Sequence, residues 1–404
     1  YNDYALARDY DGLRRDGVDL VAGPDRRPGS VHPPAGRHID ARVGDGGDCL
    51  LDRLHFDLQQ HVRGRAAGDA PDGPRPGRAT GRRRADRDRL GDVVECFLDA
   101  NLAEEDDGAL VVRFKNRERP LLIRKSDGGF LYATTDLAAV YFRTQELGCD
   151  RVIYVVDARQ RDHFNDLFDA AKLIGWNKTP DGSDVELVHI PFGSVLGEDQ
   201  KPLKTRSGLN VTLSSLLEEA ILRGTDEVTR RSNDEKAPTH GMSKESLGTI
   251  GRQIGIGAIK YADLSNDLVR DYVFDMDRMI SFEGNTGPYI QYACARIASL
   301  LEKSGEDDFT SGLIIETPQE RQLVLQLLQY GDVVRVVAQH LEPHRLCTWL
   351  FELTDAFSSF YQSCPVLKVE DNAIRGSRLR LADLTRRVIV DGLDLLGIEV
   401  PEKM

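Results

Sequence analysis

The sequence of 404 residues lacks the features that several classes of protein require. No run of 18 apolar residues occurs, so we predict no membrane-spanning helix. The first residues, YNDYALARDYDG, have neither a basic head nor an apolar stretch, and we expect no signal peptide. The six cysteines include no C-x-x-C pair. We therefore expect reduced thiols, no structural metal site and a cytoplasmic protein.

Residues 1–90 contain no lysine and no glutamate, although they hold 17 arginines and 15 aspartates. The stretch 63–89 has almost no apolar residue, so it cannot bury enough surface to offset its ordering entropy. Three interpretations are open: a disordered tail, an arginine-rich nucleic-acid arm, or out-of-frame translation of a GC-rich gene. The absence of both residue types favours the third, and we treat 1–90 as an atypical segment.

From Val93 onward the composition is ordinary, and the pattern predicts an α/β region. PLLIRK (120–125) and FLYAT (130–134) flank DGG, which predicts a β-hairpin. Helix, buried strand, helix and buried strand are then predicted at 136–147, 151–156, 162–176 and 185–192. This alternation indicates a parallel sheet, in which ligands bind at the carboxyl ends of the strands. The basic segment KPLKTRSG (201–208) follows the last of these strands.

After residue 211 the pattern is helical almost to the end of the chain. Helices are predicted at 212–223, 243–264, 288–303, 318–341, 344–363 and 379–396. The polar stretch 225–242 is predicted to be a loop. GMSKES (241–246) precedes a helix, so we expect Ser243 to be a helix N-cap. The net charge of −13 argues against non-specific coating of nucleic acid but allows a local basic patch.

Several motifs occur in order between about residue 90 and the end of the chain. They are FLYATTDLAA (130–139), RVIYVVDARQRDH (151–163), FGSVLGEDQKPLKTRSG (192–208), YVFDMDRMISFEGNTGPYIQYACARI (272–297), CTWLFELTDAFSSFYQSCPVL (347–367) and GLDLLGIEVPEKM (392–404). Together they resemble arginyl-tRNA synthetase of class I. The resemblance implies part of a Rossmann-type parallel sheet in 91–284, followed by an all-α anticodon-binding domain in 285–404. Residues 1–90 are not expected to fold as in that family.

The resemblance also implies the reaction and its participants. The enzyme would activate L-arginine with ATP, accompanied by Mg²⁺, and transfer it to tRNA(Arg). It implies a monomer. Since negative charge builds on phosphate oxygens during activation, mobile cations are needed near the triphosphate. The TRSG loop would supply them through Lys204 and Arg206, with Thr205 as a hydroxyl donor. Lys201 would bind ATP, and Gly208 would give the backbone freedom to close. From spacing alone, an exposed basic turn is the alternative.

The arginine side chain needs a carboxylate, because the forked guanidinium matches one bidentately. Tyr132 and Asp136 are four residues apart and are expected to face the same side of a helix. By resemblance, Asp136 contacts the guanidinium, while Tyr132 and Gln160 complete the pocket. A first-turn residue favoured by the helix dipole is the alternative for Asp136. Further ATP contacts are implied for His163, Val195 and Leu196.

The segment GNTGPYIQYACAR is expected to bind tRNA, because aromatic side chains stack on unpaired bases. Tyr289 and Tyr292 are predicted to share a helix face, and core packing of one or both is the alternative. The tRNA contacts implied are Asn285, Tyr289, Gln291, Tyr292, Arg296 and Met404.

No H-x-G-H motif occurs in the chain, although family members carry it in the first half of the nucleotide fold. Its histidines stabilise the α-phosphate, so we expect that this chain is inactive in adenylate formation. The alternative function is a non-catalytic tRNA-binding fragment that uses the helical domain. A third candidate, another class I synthetase such as that for cysteine, is disfavoured by the lack of paired zinc-ligand cysteines and by Asp136.

Overall fold

The computed structural model describes residues 40–41, 79–197, 199–201, 212–305 and 312–404. Packing of the backbone divides the chain into two compact units, one ending at Phe192 and one beginning at Gly193, here called unit 1 and unit 2. The domain boundaries predicted at 90 and 285 stay predictions. In the described ranges, no helix has the length and apolar character needed to cross a membrane.

Unit 1 contains a parallel and an antiparallel sheet. The parallel sheet has the order β1–β5–β6, formed by Asp40–Ala41, Arg151–Asp157 and Glu186–Phe192. The antiparallel sheet has the order β2–β3–β4, formed by Ala103–Asp106, Ala109–Val112 and Leu121–Arg124. The predicted parallel pairing of strands near 151–156 and 185–192 is confirmed, because β5 and β6 pair along seven residues from Arg151–Glu186 to Asp157–Phe192.

The described helices of unit 1 pack around one apolar core. They are α1 (Ala79–Asp99), α2 (Tyr132–Tyr141), a π-helical continuation of α2 (Phe142–Glu146), a 3₁₀ turn (Ala158–Gln160) and α3 (Arg161–Leu173). The core includes Phe97, Leu137, Tyr154 and Leu167, all fully or almost fully buried. The helix predicted at 162–176 is confirmed as α3, between two strands of the parallel sheet.

The prediction of a strand at 130–134 was wrong. The turn after β4 forms, since Lys125 N–H donates to the Gly129 carbonyl at 2.9 Å, but only Phe130 then bridges to Arg124. Helix α2 begins at Tyr132 instead. Ala133, Leu137 and Val140 are buried at helical spacing, and the buried Thr134 hydroxyl donates to the Ile123 carbonyl. Helical burial therefore outweighs the aromatic and β-branched residues that favour a strand.

Unit 2 is mainly helical, with one short parallel pair of strands. The strands are β7 (Val195–Leu196) and β8 (Tyr272–Val273). The described helices are α4 (Leu213–Ser232), α5 (Lys244–Leu264), α6 (Met276–Ile280), α7 (Gly287–Ser304), α8 (Pro318–Leu328), α9 (Tyr330–His340), α10 (His344–Ser363) and α11 (Asn372–Leu395). A large apolar core joins α5, α7, α8, α10 and α11. The predicted α/β class with a helical second part is confirmed.

The loop predicted at 225–242 is too long, because α4 continues to Ser232. Gly224 lies against the backbone of Gly251, and Val228 is 3% exposed. Packing on α5 therefore extends the helix through a polar sequence.

Helix boundaries near the end of the chain also differ. The predicted helix 318–341 is two helices, which separate at Gln329 with φ −79° and ψ −13°. The predicted helix 379–396 begins earlier, since the Asp371 side chain accepts hydrogen bonds from the N–H groups of Ala373 and Ile374. N-capping fixes this start.

Candidate functional site

In unit 1, a carboxylate and an imidazole meet between the early turns of α2 and α3. Asp136 Oδ2 lies 2.7 Å from His163 Nε2, and the two side chains are 19% and 29% exposed. Tyr132, one turn before Asp136, is 68% exposed. Gln160 is half-buried immediately before α3. The structure thus brings Asp136 and His163 together. Tyr132 precedes Asp136 by four residues, and Gln160 precedes His163 by three.

The carboxyl end of β5 fixes this arrangement. Asp157 ends the strand, and its carboxylate accepts a hydrogen bond from Arg159 N–H at 2.7 Å. Hydrogen bonds from Arg159 hold the pKa of Asp157 below its ordinary value, although partial burial opposes them. Phe164 is 2% exposed and its ring lies 4.9 Å from the Tyr154 ring on β5. This packing anchors α3, so His163 is held in place by the buried residue that follows it.

Asp136 is suited to hold a cation. Its hydrogen-bond partner among the described residues is His163, through Oδ2, and Oδ1 remains for a ligand. A partly exposed carboxylate with one oxygen already oriented can accept a guanidinium N–H. The sequence assigned His163 to ATP, whereas the structure pairs its imidazole with the carboxylate assigned to arginine.

Sequence reasoning missed a second histidine in unit 1. His189, on β6, stacks on Phe164 with ring centroids 5.1 Å apart and 20° between planes. Burial lowers the pKa of His189, against the opposing contact of its Nε2 with the Val156 carbonyl. Both histidines therefore contact the Phe164 ring, His189 stacked on it and His163 edge to face. The signal was a histidine inside the apolar run VELVHIPF, where burial of a polar group calls for a reason.

In unit 2, the predicted adenine segment forms β7. Val195 and Leu196 pair in parallel with Tyr272 and Val273 on β8. The preceding residue, Ser194, donates its backbone N–H to the Asp271 carboxylate at 2.6 Å. These bonds hold the backbone of β7 in an extended form, and both its side chains are half-buried.

The basic segment KPLKTRSG (201–208), which contains the TRSG loop, begins shortly after β7. The Gly197 N–H donates to the Lys201 carbonyl at 2.8 Å, and the Lys201 N–H donates to the Asp199 carboxylate at 3.2 Å. This tight turn leaves the Lys201 side chain exposed. The other predicted loop residues, Lys204, Thr205, Arg206 and Gly208, lie outside the described residues.

The predicted tRNA contacts gather around the start of α7. Asn285 is exposed, and its Oδ1 accepts from the Tyr261 hydroxyl at 2.6 Å. Tyr289 is half-buried with its ring 5.9 Å from that of Phe351. Tyr292 is half-buried, and the exposed Arg296 stacks over Tyr361 at 4.2 Å. Each tyrosine is therefore partly packed against the core and partly exposed, and stacking of RNA bases on them stays a prediction.

Two predicted tRNA contacts are buried instead of exposed. Gln291 is 0% exposed, and its Nε2 donates to the carbonyls of Gln253 (3.2 Å) and Glu399 (2.7 Å). Met404 is 8% exposed and packs with a cluster that includes Val228 and Ile254. In the structure these two side chains fasten the end of the chain to α5 and α7 through backbone acceptors and apolar contacts, although Gln291 Oε1 has no hydrogen-bond partner among the described residues.

The expected N-cap is confirmed, since Ser243 Oγ accepts from Ser246 N–H at 3.1 Å at the start of α5. Over the described ranges, no group of three or more His, Cys, Asp or Glu residues is arranged to hold a metal ion.

Family models match most of the described chain. Residues 80–276 match the model of the class I tRNA synthetase (R) catalytic domain, and residues 290–404 match the DALR anticodon binding domain. Together with the parallel sheet and the helical second part, the two matches define a class I synthetase catalytic domain joined to an anticodon-binding domain.

The similar relatives named below are both class I synthetases for one amino acid, arginine. The chain is 46% identical over 325 residues to an arginine–tRNA ligase of Thermobifida fusca, covering 78% of this chain and 54% of the relative. It is 45% identical over 327 residues to that of Pseudomonas aeruginosa, covering 78% and 55%. From residue 80 to its end the chain belongs to the arginyl-tRNA synthetase family. It spans about half the length of these curated relatives.

Solved structures agree with this assignment. The arginyl-tRNA synthetase of Plasmodium falciparum superposes with a TM-score of 0.67 at 27% identity, covering 88% of this chain and 57% of that one. The arginyl-tRNA synthetase of Thermus thermophilus gives a TM-score of 0.66 at 26% identity, covering 79% and 59%.

Proposed function

We propose that this chain acts as an arginine–tRNA ligase. In the first step a carboxylate oxygen of L-arginine attacks the α-phosphorus of ATP, and pyrophosphate leaves. In the second step a terminal ribose hydroxyl of tRNA(Arg) attacks the activated carbonyl, and AMP leaves. The observation that carries the proposal is the partly exposed Asp136 carboxylate, oriented by His163 within a region that matches the arginine-specific catalytic domain.

Arginine recognition falls to residues of unit 1. Asp136 accepts the guanidinium through Oδ1, because Oδ2 already accepts from His163 when Nε2 carries the proton. Tyr132 lies one turn away on α2, and its exposed ring is free to cover the substrate side chain. Gln160 offers an amide at the start of α3.

ATP binding falls to β7 and the loop that follows it. Val195 and Leu196 present an extended backbone for the adenine, and Lys201 presents an exposed ammonium. Lys204, Thr205 and Arg206 supply the cations and the hydroxyl for the phosphates, and Gly208 supplies backbone freedom. Mg²⁺ enters with ATP. We also propose that the chain is a monomer and acts in the cytoplasm.

A second candidate function is tRNA binding without catalysis. The absence of any H-x-G-H motif favours it, because that motif is what the family uses at the α-phosphate. Retention of Asp136 and of the TRSG loop favours the ligase, since a protein that only binds tRNA needs neither.

The test is ATP–pyrophosphate exchange by the 404-residue chain with arginine and arginine tRNA present. Exchange that requires both supports the ligase. Binding of arginine tRNA without exchange supports the second candidate, and failure to bind arginine tRNA contradicts both.

The role of Asp136 has a matched control nearby. We expect Asp136→Asn to weaken arginine binding at least about tenfold, because a charged hydrogen bond to the guanidinium is lost. Asp162→Asn removes an exposed carboxylate from the first turn of α3 and should leave binding unchanged. Equilibrium dialysis with labelled arginine measures both variants without requiring catalysis. Equal binding by the two variants would show that Asp136 does not hold the substrate.

A further inference from the structure

A guanidinium is stacked beside one of the predicted tRNA contacts, on a residue that the motifs did not single out. Arg231 lies in the last turn of α4. Its Cζ atom lies 3.9 Å from the centre of the Phe282 ring and 5.8 Å from that of Tyr292. The Phe282 and Tyr292 rings meet edge to face, with centroids 6.3 Å apart. The three side chains are called the Arg231 platform below.

The platform rests on a rigid base. Phe282 and Tyr292 pack against a buried apolar cluster. Its members are Val228, Leu247, Ile250, Ile254, Ala295 and Met404. Since close-packed apolar contacts hold both rings, the guanidinium lies on a surface that is already ordered. A stacked guanidinium loses less side-chain freedom on binding than a free one, which favours affinity.

The charges around Arg231 leave donors for a ligand. Its Nε donates to Glu227 Oε1 at 2.7 Å, and within the described part of the chain this is the only hydrogen bond of the Arg231 side chain. Glu227 also accepts two hydrogen bonds from Arg230, at 2.7 and 2.8 Å. One carboxylate is thus shared by two guanidinium groups, so the cluster has a net positive charge. The Arg231 side chain is 34% exposed, and its two Nη groups remain to donate.

We propose that Arg231 binds a backbone phosphate of the RNA loop whose unpaired base stacks on Tyr292. The inference rests on the proposed function, because it deepens the tRNA-binding part of it. Sites for unpaired strands combine aromatic side chains that stack on the bases with cations that follow the phosphate backbone, and Tyr292 and Arg231 form such a combination. The forked Nη groups match phosphate oxygens, and the net positive charge attracts them. Because the chain as a whole has a net charge of −13, attraction of RNA phosphates depends on local clusters of positive charge such as this one.

The chain provides a matched control next to Arg231. Arg230 carries the same charge and shares the same carboxylate, but its side chain is 70% exposed and no aromatic contact is found for it among the described residues. We expect Arg231→Met to weaken binding of an arginine tRNA transcript at least about tenfold, because a charged hydrogen bond is lost. Arg230→Met removes the same unit of charge but no stacked fork, so we expect it to weaken binding less than Arg231→Met does.

Salt dependence separates a phosphate contact from a merely structural role. Loss of one phosphate contact should reduce the slope of log K against log salt concentration by about 1. Arg231→Lys keeps the charge and loses the stacked fork, so we expect weaker binding with an unchanged slope. Urea unfolding of each variant shows whether the fold is retained, and the lysine variant keeps the test informative if the methionine variant does not fold.

A chemical probe identifies the phosphate itself. Each loop phosphate of an anticodon stem-loop RNA is replaced in turn by a neutral methylphosphonate. At one linkage the unmodified chain should lose affinity while Arg231→Met, already lacking the contact, loses nothing more. If the unmodified chain binds no arginine tRNA, the proposed function fails, and this inference fails with it. If that chain binds and Arg231→Met binds equally, or binds more weakly with an unchanged salt slope, the inference alone is overturned.

Discussion

At the scale of single residues, Arg378 and Glu320 form a buried ion pair within the described part of unit 2. Arg378 Nε donates to Glu320 Oε1 at 2.7 Å, with side-chain exposures of 8% and 0%. Glu320 Oε2 accepts from the N–H groups of Glu316 and Thr317, completing a capping box at α8. Burial raises the pKa of Glu320, but the bonds from Arg378 and the two N–H groups outweigh it and hold the pKa below its ordinary value.

Removing the cation from this pair should be costly. We expect Arg378→Met to lower the free energy of unfolding by about 3–5 kcal/mol, because it leaves Glu320 buried without its partner. Arg387→Met, on the same helix, breaks a pair in which the arginine is 66% exposed and should cost less than about 1 kcal/mol. Urea unfolding followed by circular dichroism compares the two. Equal losses would mean that Glu320 is not buried in solution.

A second buried carboxyl, that of Asp263, has no ion pair with a cation among the described residues. Asp263 is 6% exposed, and its Oδ1 accepts from the Tyr272 hydroxyl at 3.0 Å. Its Oδ2 has no hydrogen-bond partner among the described residues. Burial raises the pKa of Asp263 to about 6 from an ordinary value of 3.8, although the Tyr272 hydrogen bond opposes the rise.

The raised pKa of Asp263 predicts the direction of a pH effect. Between about pH 4 and pH 6 the unfolded chain releases this proton and the folded chain retains it, so the free energy of unfolding falls as pH rises. The loss contributed is about 3 kcal/mol and is complete above pH 6. Asp263→Asn should remove this part of the pH dependence, whereas the exposed Asp267→Asn should keep it. Urea titrations at pH 4, 5, 6 and 7 give the comparison, and parallel curves for all three proteins would contradict the assignment.

At the scale of elements, glycines set the approach of α4 and α5. A Cβ atom at Gly255 would lie 2.4 Å from the Ala220 carbonyl oxygen on α4. One at Gly248, also on α5, would meet nothing within 4 Å. Backbone is the obstacle at Gly255, so the helices themselves would have to move.

Alanine at these two glycines should have opposite effects. Gly255→Ala should destabilise unit 2 by about 1–3 kcal/mol through overpacking. Gly248→Ala should stabilise it by up to about 1 kcal/mol, because alanine has the higher helix propensity. Thermal melts of both variants measure the difference. A stabilising Gly255→Ala would mean that α4 and α5 lie further apart in solution.

Most elements could be predicted from apolar spacing, and some of their boundaries with them, whereas other boundaries could not. Strands β5 and β6 and helix α10 (His344–Ser363) coincide with their predicted ranges to within about one residue. The false strand at 130–134 and the long loop after residue 225 failed for one physical reason. Tertiary contacts, at the buried Thr134 and Val228, decided the structure of segments whose local composition favoured something else.

At the scale of the whole molecule, the motifs indicated which residues lie near one another, but they did not indicate which contacts those residues make. Tyr132 and Asp136 lie in the early turns of α2, His163 lies in the first turn of α3 and Gln160 just before it, but the Asp136–His163 hydrogen bond was not foreseen. That these residues bind arginine and ATP stays a prediction. Gln291 and Met404 were expected at the RNA surface and are buried, because a sequence motif does not reveal which face of α7 the end of the chain covers. Arg231 lay outside every motif, and its stacking on Phe282 could be recognised only from the structure.

The proposal that this chain binds arginine tRNA through unit 2 can be tested directly by filter binding. Filter binding should compare an arginine tRNA transcript with the same transcript carrying the anticodon of another amino acid. We predict binding at least about tenfold tighter for the arginine anticodon, because a wrong base would leave hydrogen-bonding groups of the protein unpaired, at a cost of about 1–3 kcal/mol each. Equal affinity for the two transcripts, with the same salt dependence, would contradict it.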